Sequence, residues 1–462
     1  MKRFLPLLGF LLLVHNSIGQ NPWDNGKLAV SENGRYLQHA NGQPFFWLGD
    51  TCWLLAQKLN RDESKKYFAD RKAKGFNVVQ AVVVQMLTDK NVYGDNAIVD
   101  GDITKLNVTP GNDPADAAQY DYWDHVDFIV ETAAANGIYL AIAPTWSHTV
   151  RRAPIKREQS EIYAAAIAER YKNKPNIIWL NGGSAKGDVD NDVWQAIGST
   201  IKKADANHLM SFHPFGRAQS STWFNDAPWL DVNMFVSGHR RYDQDVDGKK
   251  YGEDNWRYVL DDLAKTPRKP TIDGEPAYEN TPQGLHRPEE PYWTGDDARR
   301  YAYWSVFAGA AGHTYGENSV RQVYLPGDSK PASGAKGYFS ERLDAPGAKA
   351  MTHLKQLILS RKAFDRMNDQ AAAAGDEGDK YDRVLVAKGK NFVMAYTYTG
   401  RDFTLQLGRI SAKEVDASWF NPRTGEFTKL GTFKNEGFKS FNPPGEKTNG
   451  NDWVLVLDAK TP

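Results

Sequence analysis

The sequence predicts an α/β protein, a (β/α)8 TIM barrel followed by a C-terminal β-sandwich domain. Short apolar runs alternate with longer amphipathic stretches over most of the chain, the signature of repeated βα units. Eight such runs occur, the number a closed barrel needs. After Phe364 the texture changes to short strand-like runs separated by Gly, Asn, Asp and Pro turns, which marks an all-β module. At 462 residues the chain is long enough for two domains, each with its own core.

Taken in order, Lys2 and Arg3 precede an apolar run over residues 4–14, the length of a signal-peptide core and too short for a membrane span. Ser17 and Gly19 offer a small-residue cleavage site near Gln20. Residues 1–20 therefore read as a signal peptide, 21–363 as the barrel and 364–462 as the β-sandwich, in a protein exported to a periplasm or the extracellular medium. The strand runs fall at 44–48, 77–84, 138–143, 176–180, 208–212, 230–235, 270–273 and 312–315. Helix-like stretches lie between and after them at 62–74, 122–135, 158–171, 192–205, 254–265, 296–307 and 348–360, several opening on Asp, a favoured N-cap. The module's strands are expected at 383–387, 392–397, 403–407, 416–420 and 453–457.

Composition removes several classes of partner. Lys plus Arg and Asp plus Glu both count 57, so no bulk charge draws the chain to nucleic acid or an anionic membrane. The single cysteine, Cys52, excludes an intramolecular disulfide and a cysteine-built zinc site. Aromatic residues make up 12% of the chain, with 14 Trp, many beside His, Arg, Asn and Asp. Aromatic faces that stack on sugar rings, with polar neighbours for the hydroxyls, suit a carbohydrate ligand.

Barrel enzymes carry their chemistry at the C-terminal ends of the strands. There the sequence places Asp50 and Trp53, then Trp146 and His148, then Ser184, then His213, and after the sixth run His239, Arg240, Arg241 and Tyr242. The seventh run ends in Asp273-Gly274-Glu275 and the eighth supplies His313 and Tyr315. Glu275, held between Gly274 and Pro276, is the sharpest candidate: a rigidly presented carboxylate can attack an anomeric carbon. The competing reading is a structural carboxylate paired with Arg240 or Arg241. The strand-end histidines show no close-spaced metal motif, so hydrogen bonding to substrate is expected rather than a metal or cofactor site.

Six segments together carry a resemblance. They are Gly49-Asp50-Thr51-Cys52-Trp53, Asn181-Gly182-Gly183, His213-Pro214-Phe215-Gly216-Arg217, Ser237-Gly238-His239-Arg240-Arg241-Tyr242, Asp273-Gly274-Glu275-Pro276 with Tyr278-Glu279, and Ala311-Gly312-His313-Thr314-Tyr315-Gly316. The chain resembles the apiosidase-like glycoside hydrolases of family 140 over nearly its whole mature length, including a C-terminal module that carries a collagen-binding label in that family. The resemblance implies a Bacteroidetes-type enzyme that cleaves apiose from galacturonic acid in the pectin rhamnogalacturonan II, a plant cell-wall substrate. It also implies that Glu275 is the nucleophile of a retaining mechanism, whose two carboxyl groups stand about 5–5.5 Å apart.

The second carboxyl group is where this sequence departs. The family's acid/base is an Asp directly after the Gly-Gly pair, and here that position is Ser184. A hydroxyl cannot protonate a leaving oxygen as a carboxylic acid of matched pKa does. Lost activity, a replaced acid, or transfer of the role to Asp188 are the alternatives, with Asp188 equally readable as a solvated loop carboxylate. A non-catalytic glycan-binding protein on a hydrolase scaffold is the runner-up function. Trp53, Trp146 and Tyr242 are expected to stack on sugar, and Arg240 or Arg241 to pair with a uronic carboxylate.

Overall fold

The computed structural model describes residues 21–245, 251–361 and 365–460, so the expected signal peptide lies outside the described residues. Eight parallel strands build the barrel: β1 (Trp47–Thr51), β2 (Val78–Val82), β3 (Tyr139–Ala143), β4 (Ile177–Ala185), β5 (Met210–Pro214), β6 (Asn233–Val236), β7 (Thr271–Asp273) and β8 (Gly312–Tyr315). Hydrogen-bonded neighbours run from β5 through β1 to β8, β7 and β6. The seam between β5 and β6 is closed by a parallel bridge, Ser211 to Val232. A short strand, Ala218–Gln219, adds an antiparallel partner to β6.

Burial on both faces explains why these strands read as unbroken apolar runs. Trp47, Val78, Val82, Tyr139, Ala141, Ile178, Leu180, Met234 and Ile272 fill the barrel interior. The alternate residues, among them Val79, Leu140, Ile142, Trp179 and Phe212, face outward into the helical layer. The run at 44–48 splits in two. Pro44–Phe45 pairs with a small antiparallel sheet of Leu28–Val30 and Leu37–His39, and β1 begins only at Trp47. Leu28, Leu37 and Phe45 join the interior core, so this sheet plugs the barrel at the end opposite the strands' C-termini.

The outer helices are α1 (Arg61–Ala73), α2 (Tyr122–Ala135), the short α3 (Ser147–Arg152), α4 (Arg157–Tyr171), α5 (Asn191–Ala204), α6 (Asn255–Leu263), α7 (Gly295–Ala308) and α8 (Pro346–Leu359). Asn60 and Asp121 cap α1 and α2, accepting from the Glu63 and from the Trp123 and Asp124 backbone N–H groups. Among the described residues no helix is long and apolar enough to cross a membrane.

The C-terminal module pairs two antiparallel sheets. Met367–Asn368, β9 (Val384–Lys388), β10 (Phe392–Thr397), β15 (Trp453–Ala459), β12 (Glu414–Phe420) and β13 (Phe427–Lys434) form one; Ala373–Ala374, β11 (Phe403–Gln406) and β14 (Phe438–Phe441) form the other. Val384, Val386, Leu405, Trp419 and Leu455 fill the space between them. The opposite face of the larger sheet, with Tyr396, Val454 and Val456, shares a core with Trp304, Phe307 and Leu354 of α7 and α8.

Candidate active site

Glu275 follows β7 at the barrel mouth, and its backbone is tied on both sides. Gln80 Nε2 donates to the Gly274 carbonyl at 2.8 Å, and the Gly238 N–H donates to the Glu275 carbonyl at 3.1 Å. Gly274 is required here, because a Cβ would lie 2.3 Å from Met234 Sδ. The carboxylate is 14% exposed and stands between two imidazoles. His239 Nε2–H donates to Oε1 at 3.0 Å, and His213 Nε2 lies 3.3 Å from Oε2, in electrostatic contact but outside hydrogen-bond alignment.

Both rings are oriented from behind. His213 Nδ1 accepts the Ser184 N–H at 3.2 Å and His239 Nδ1 accepts the Tyr278 N–H at 3.3 Å. Each ring therefore keeps a proton on Nε2, and that of His239 points at Glu275. Withdrawal from water would by itself raise the Glu275 pKa, but His213 and His239 outweigh that and hold the carboxyl well below the usual range. The group is an anion facing the mouth, which is the state a nucleophile needs.

An aromatic wall bounds it. Trp53 packs against Trp146 at 4.8 Å and against His213 at 5.1 Å, and Trp146 reaches His213 at 5.7 Å. Trp146 fits because Gly183 leaves it room; a Cβ there would lie 2.6 Å from the indole. The chain turns through positive φ at Gly182, Gly183 and Ser184, where β4 slips register against β5. That bulge sets the Ser184 N–H on His213, with its carbonyl accepting from Ser147 Oγ at 3.1 Å.

The structure thus brings together Glu275, Ser184, His213, His239, Trp53 and Trp146. Other expected residues go elsewhere. Asp50 is fully buried on the outer face of β1, accepting from Tyr67 at 2.7 Å and pairing with Arg71 at 3.1 Å, so it does not meet substrate. His313 and Tyr315 also face outward from β8: His313 Nδ1 meets Ser305 Oγ of α7, and Tyr315 donates to Glu279. Burial pushes the His313 pKa down to about 3, leaving a neutral core imidazole. His148 sits on α3 with Nε2 3.2 Å from Met86 Sδ. Asp188 is exposed on the turn after β4, and no hydrogen bond or ion pair ties it to the cluster.

The two arginines separate. Arg241 is consumed by Asp243, Glu290 and Gln283, whereas Arg240 is exposed, with no hydrogen bond or ion pair among the described residues. Tyr242 turns toward the C-terminal module, donating to Asp254 at 2.6 Å and packing 5.7 Å from Tyr381. Sequence reasoning missed Gln80 and Trp293, whose Nε1 donates to the His239 carbonyl at 3.1 Å. It also gave no role to Tyr278, whose ring lies 4.9 Å from His239. Only the position of Gln80, an inward polar residue within an apolar run, carried a signal. Among the described residues no group of three or more His, Cys, Asp or Glu side chains is placed to hold a metal ion.

Residues 31–365 match the family model described as "Apiosidase-like, catalytic domain", and residues 367–458 match one described as "Putative collagen-binding domain of a collagenase". The search of curated proteins found no match. A solved structure described as "Glycoside hydrolase" is 44% identical, covering 96% of this chain and 98% of its own, with a TM-score of 0.90. A glycoside hydrolase family 5 structure from Bacteroides vulgatus is 43% identical over 95% of each chain, also with a TM-score of 0.90. A further structure from the same organism, described as "a putative glycoside hydrolase", shares the fold at 15% identity and a TM-score of 0.65, covering 94% of this chain and 83% of its own. With an anionic carboxylate in an aromatic barrel mouth and a family match over most of its length, the chain belongs to the apiosidase-like family of glycoside hydrolases.

Proposed function

We propose that this protein acts on apiose linked to galacturonic acid in rhamnogalacturonan II, with Glu275 as the nucleophile of a retaining mechanism, after export to the periplasm or medium. The observation that carries the reading is the Glu275 carboxylate, kept ionised between His213 and His239 beside the Trp53–Trp146 wall. Attack on the anomeric carbon needs that charge and that partial exposure, and the half-buried Trp146 indole suits the apolar face of a sugar, whereas Trp53, 5% exposed, is buried against it and does not stack on sugar as expected. Arg240, two residues beyond Gly238 and unpaired among the described residues, suits the uronic carboxylate.

Ser184 favours a second reading, a glycan-binding protein on this scaffold. The two are separated by incubating the chain with rhamnogalacturonan II fragments and analysing the products. Release of apiose-bearing fragments is expected, slowly, and Glu275→Gln should reduce it by about three decades or more. Binding without turnover in either form would establish the second reading, and near-normal turnover in Glu275→Gln would remove Glu275 from its role.

A further inference from the structure

We propose that the mouth is a one-carboxylate glycosyl-transfer centre: with an activated donor it forms a glycosyl ester on Glu275 and passes the sugar to anionic acceptors in preference to water. The inference rests on the proposed function and extends it to a different product.

Apart from the exposed Asp188, the other carboxylates around the strand ends are committed elsewhere, Asp89 to the Gln85 and Met86 N–H groups among them. Asp273 accepts from Ser237 and Asn255 on the outer face of β7. Glu279 is held by Tyr315 and the Gly347 N–H, and Glu317 by Asn280, Arg342 and the start of a short helix. Asp245 pairs with Arg217, Asp50 with Arg71, and Asp188 stands in solvent. Glu275 is therefore the one carboxylate, among the described residues, that joins the Trp53, Trp146 and His213 cluster. Ser184, whose backbone N–H meets His213, carries a hydroxyl with no acidic proton to give and no basicity to take one.

The two half-reactions respond differently to this arrangement. In the first, a Glu275 oxygen bonds to the anomeric carbon while the bond to the leaving oxygen breaks and takes its electron pair along. A nitrophenolate leaves as a stable anion, so no proton has to be delivered. In the second, water must lose a proton as it attacks, and no base stands there to receive it. Azide or a thiolate brings an electron pair and no proton: its bond to the anomeric carbon forms, the ester bond to Glu275 breaks, and the free carboxylate returns. The product is a glycosyl azide or a thioglycoside, with charge and atoms balanced.

The test uses the full chain with para-nitrophenyl apioside. A burst of nitrophenolate equivalent to the enzyme is expected, with a sugar adduct in the intact mass, followed by slow turnover. Azide should raise that turnover on the order of 10²-fold, clear the adduct and appear in the product as glycosyl azide. Ser184→Asp should hydrolyse without azide and lose the acceleration. Steady Glu275-dependent release that azide neither speeds nor intercepts overturns the transfer inference and leaves the proposed function standing. Absence of release by both the chain and Ser184→Asp overturns both.

Discussion

An anionic carboxylate survives at Glu275, partly withdrawn from water, because one imidazole N–H bonds to it and a second faces it. Backbone amides of Tyr278 and Ser184 fix those tautomers from the other side. Ser184 is therefore tied to Glu275 through its main chain and His213, whatever its side chain does. Its φ of 51° lies in the left-handed region, which Asp occupies more readily than Ser, so the backbone is already shaped for an acid. Ser184→Asp should accordingly fold normally and raise turnover of natural oligosaccharide by roughly 10²–10⁴, while Asp188→Asn changes little in either background. Comparing the four forms on one pectic substrate checks this; loss of activity in Asp188→Asn alone would assign the acid to that turn. Arg240 is exposed in the segment after β6, and Arg240→Ala should weaken binding of a galacturonate oligosaccharide by about tenfold or more and spare its carboxyl-reduced analogue. Equal losses in calorimetry with both ligands would mean that Arg240 does not read the carboxylate.

Each barrel strand alternates between an interior that reaches the mouth and an exterior that meets the helices, and this decides which polar residues can do chemistry. On β7, Asp273 faces outward against α6 and the end of β6, fully buried, accepting from Ser237 Oγ at 2.7 Å and Asn255 Nδ2 at 3.0 Å. Desolvation dominates those hydrogen bonds and raises its pKa to about 7, while Asp262 beneath it is raised to about 6. A carboxyl group with a raised folded pKa stabilises the fold fully below its unfolded value near 4, and that contribution fades as pH climbs toward 7. Stability should fall across this window, with Asp273 contributing on the order of 4 kcal/mol, and Asp273→Asn should flatten the profile. Denaturant titrations at several pH values measure this, and an unchanged slope in the variant would move the effect to other groups. The same alternation explains what the sequence made legible. Continuous apolar runs disclosed the barrel, yet runs buried on both faces hide which face a polar residue takes. Asp50, His313 and Tyr315 were placed in the mouth by proximity to strand ends, although each is one residue out of step with an inward neighbour, Gly49 or Thr314. Glu275 was readable because it lies just past the end of β7, whereas the Gly182-Gly183 bulge inside β4 was not foreseen, since the fourth apolar run ends at Leu180. The strands β13 and β14 escaped because they lie at sheet edges, where β13 is exposed along most of its length and shows no apolar run.

The module is joined to the barrel through α7, by charge as well as by core. Arg299 is 5% exposed and forms a two-pronged pair with Asp452, at 2.7 and 2.8 Å, while Tyr396 also donates to Asp452. Its neighbour Arg300 pairs with Glu253, which Tyr381 of the module bonds as well, and lies 4.7–5.2 Å from the rings of Tyr301, Trp304, Tyr381 and Tyr398. The connection continues inward, since Asn255 Nδ2 bridges the Tyr301 carbonyl of α7 and Asp273, two residues before Glu275. The module thus braces the helix that backs β7. Removing one partner of a buried pair strands the other charge, so Asp452→Ala should cost roughly 3–5 kcal/mol. Because α7, α8 and the larger sheet share one core, the loss should lower a single transition common to barrel and module. Replacing both partners by apolar residues, Arg299→Met with Asp452→Leu, should recover most of it, since no charge is then left without water or partner. Scanning calorimetry of the three forms decides the matter: a module that melts separately in Asp452→Ala, above an unshifted barrel transition, would show that the barrel holds β7 in place without it.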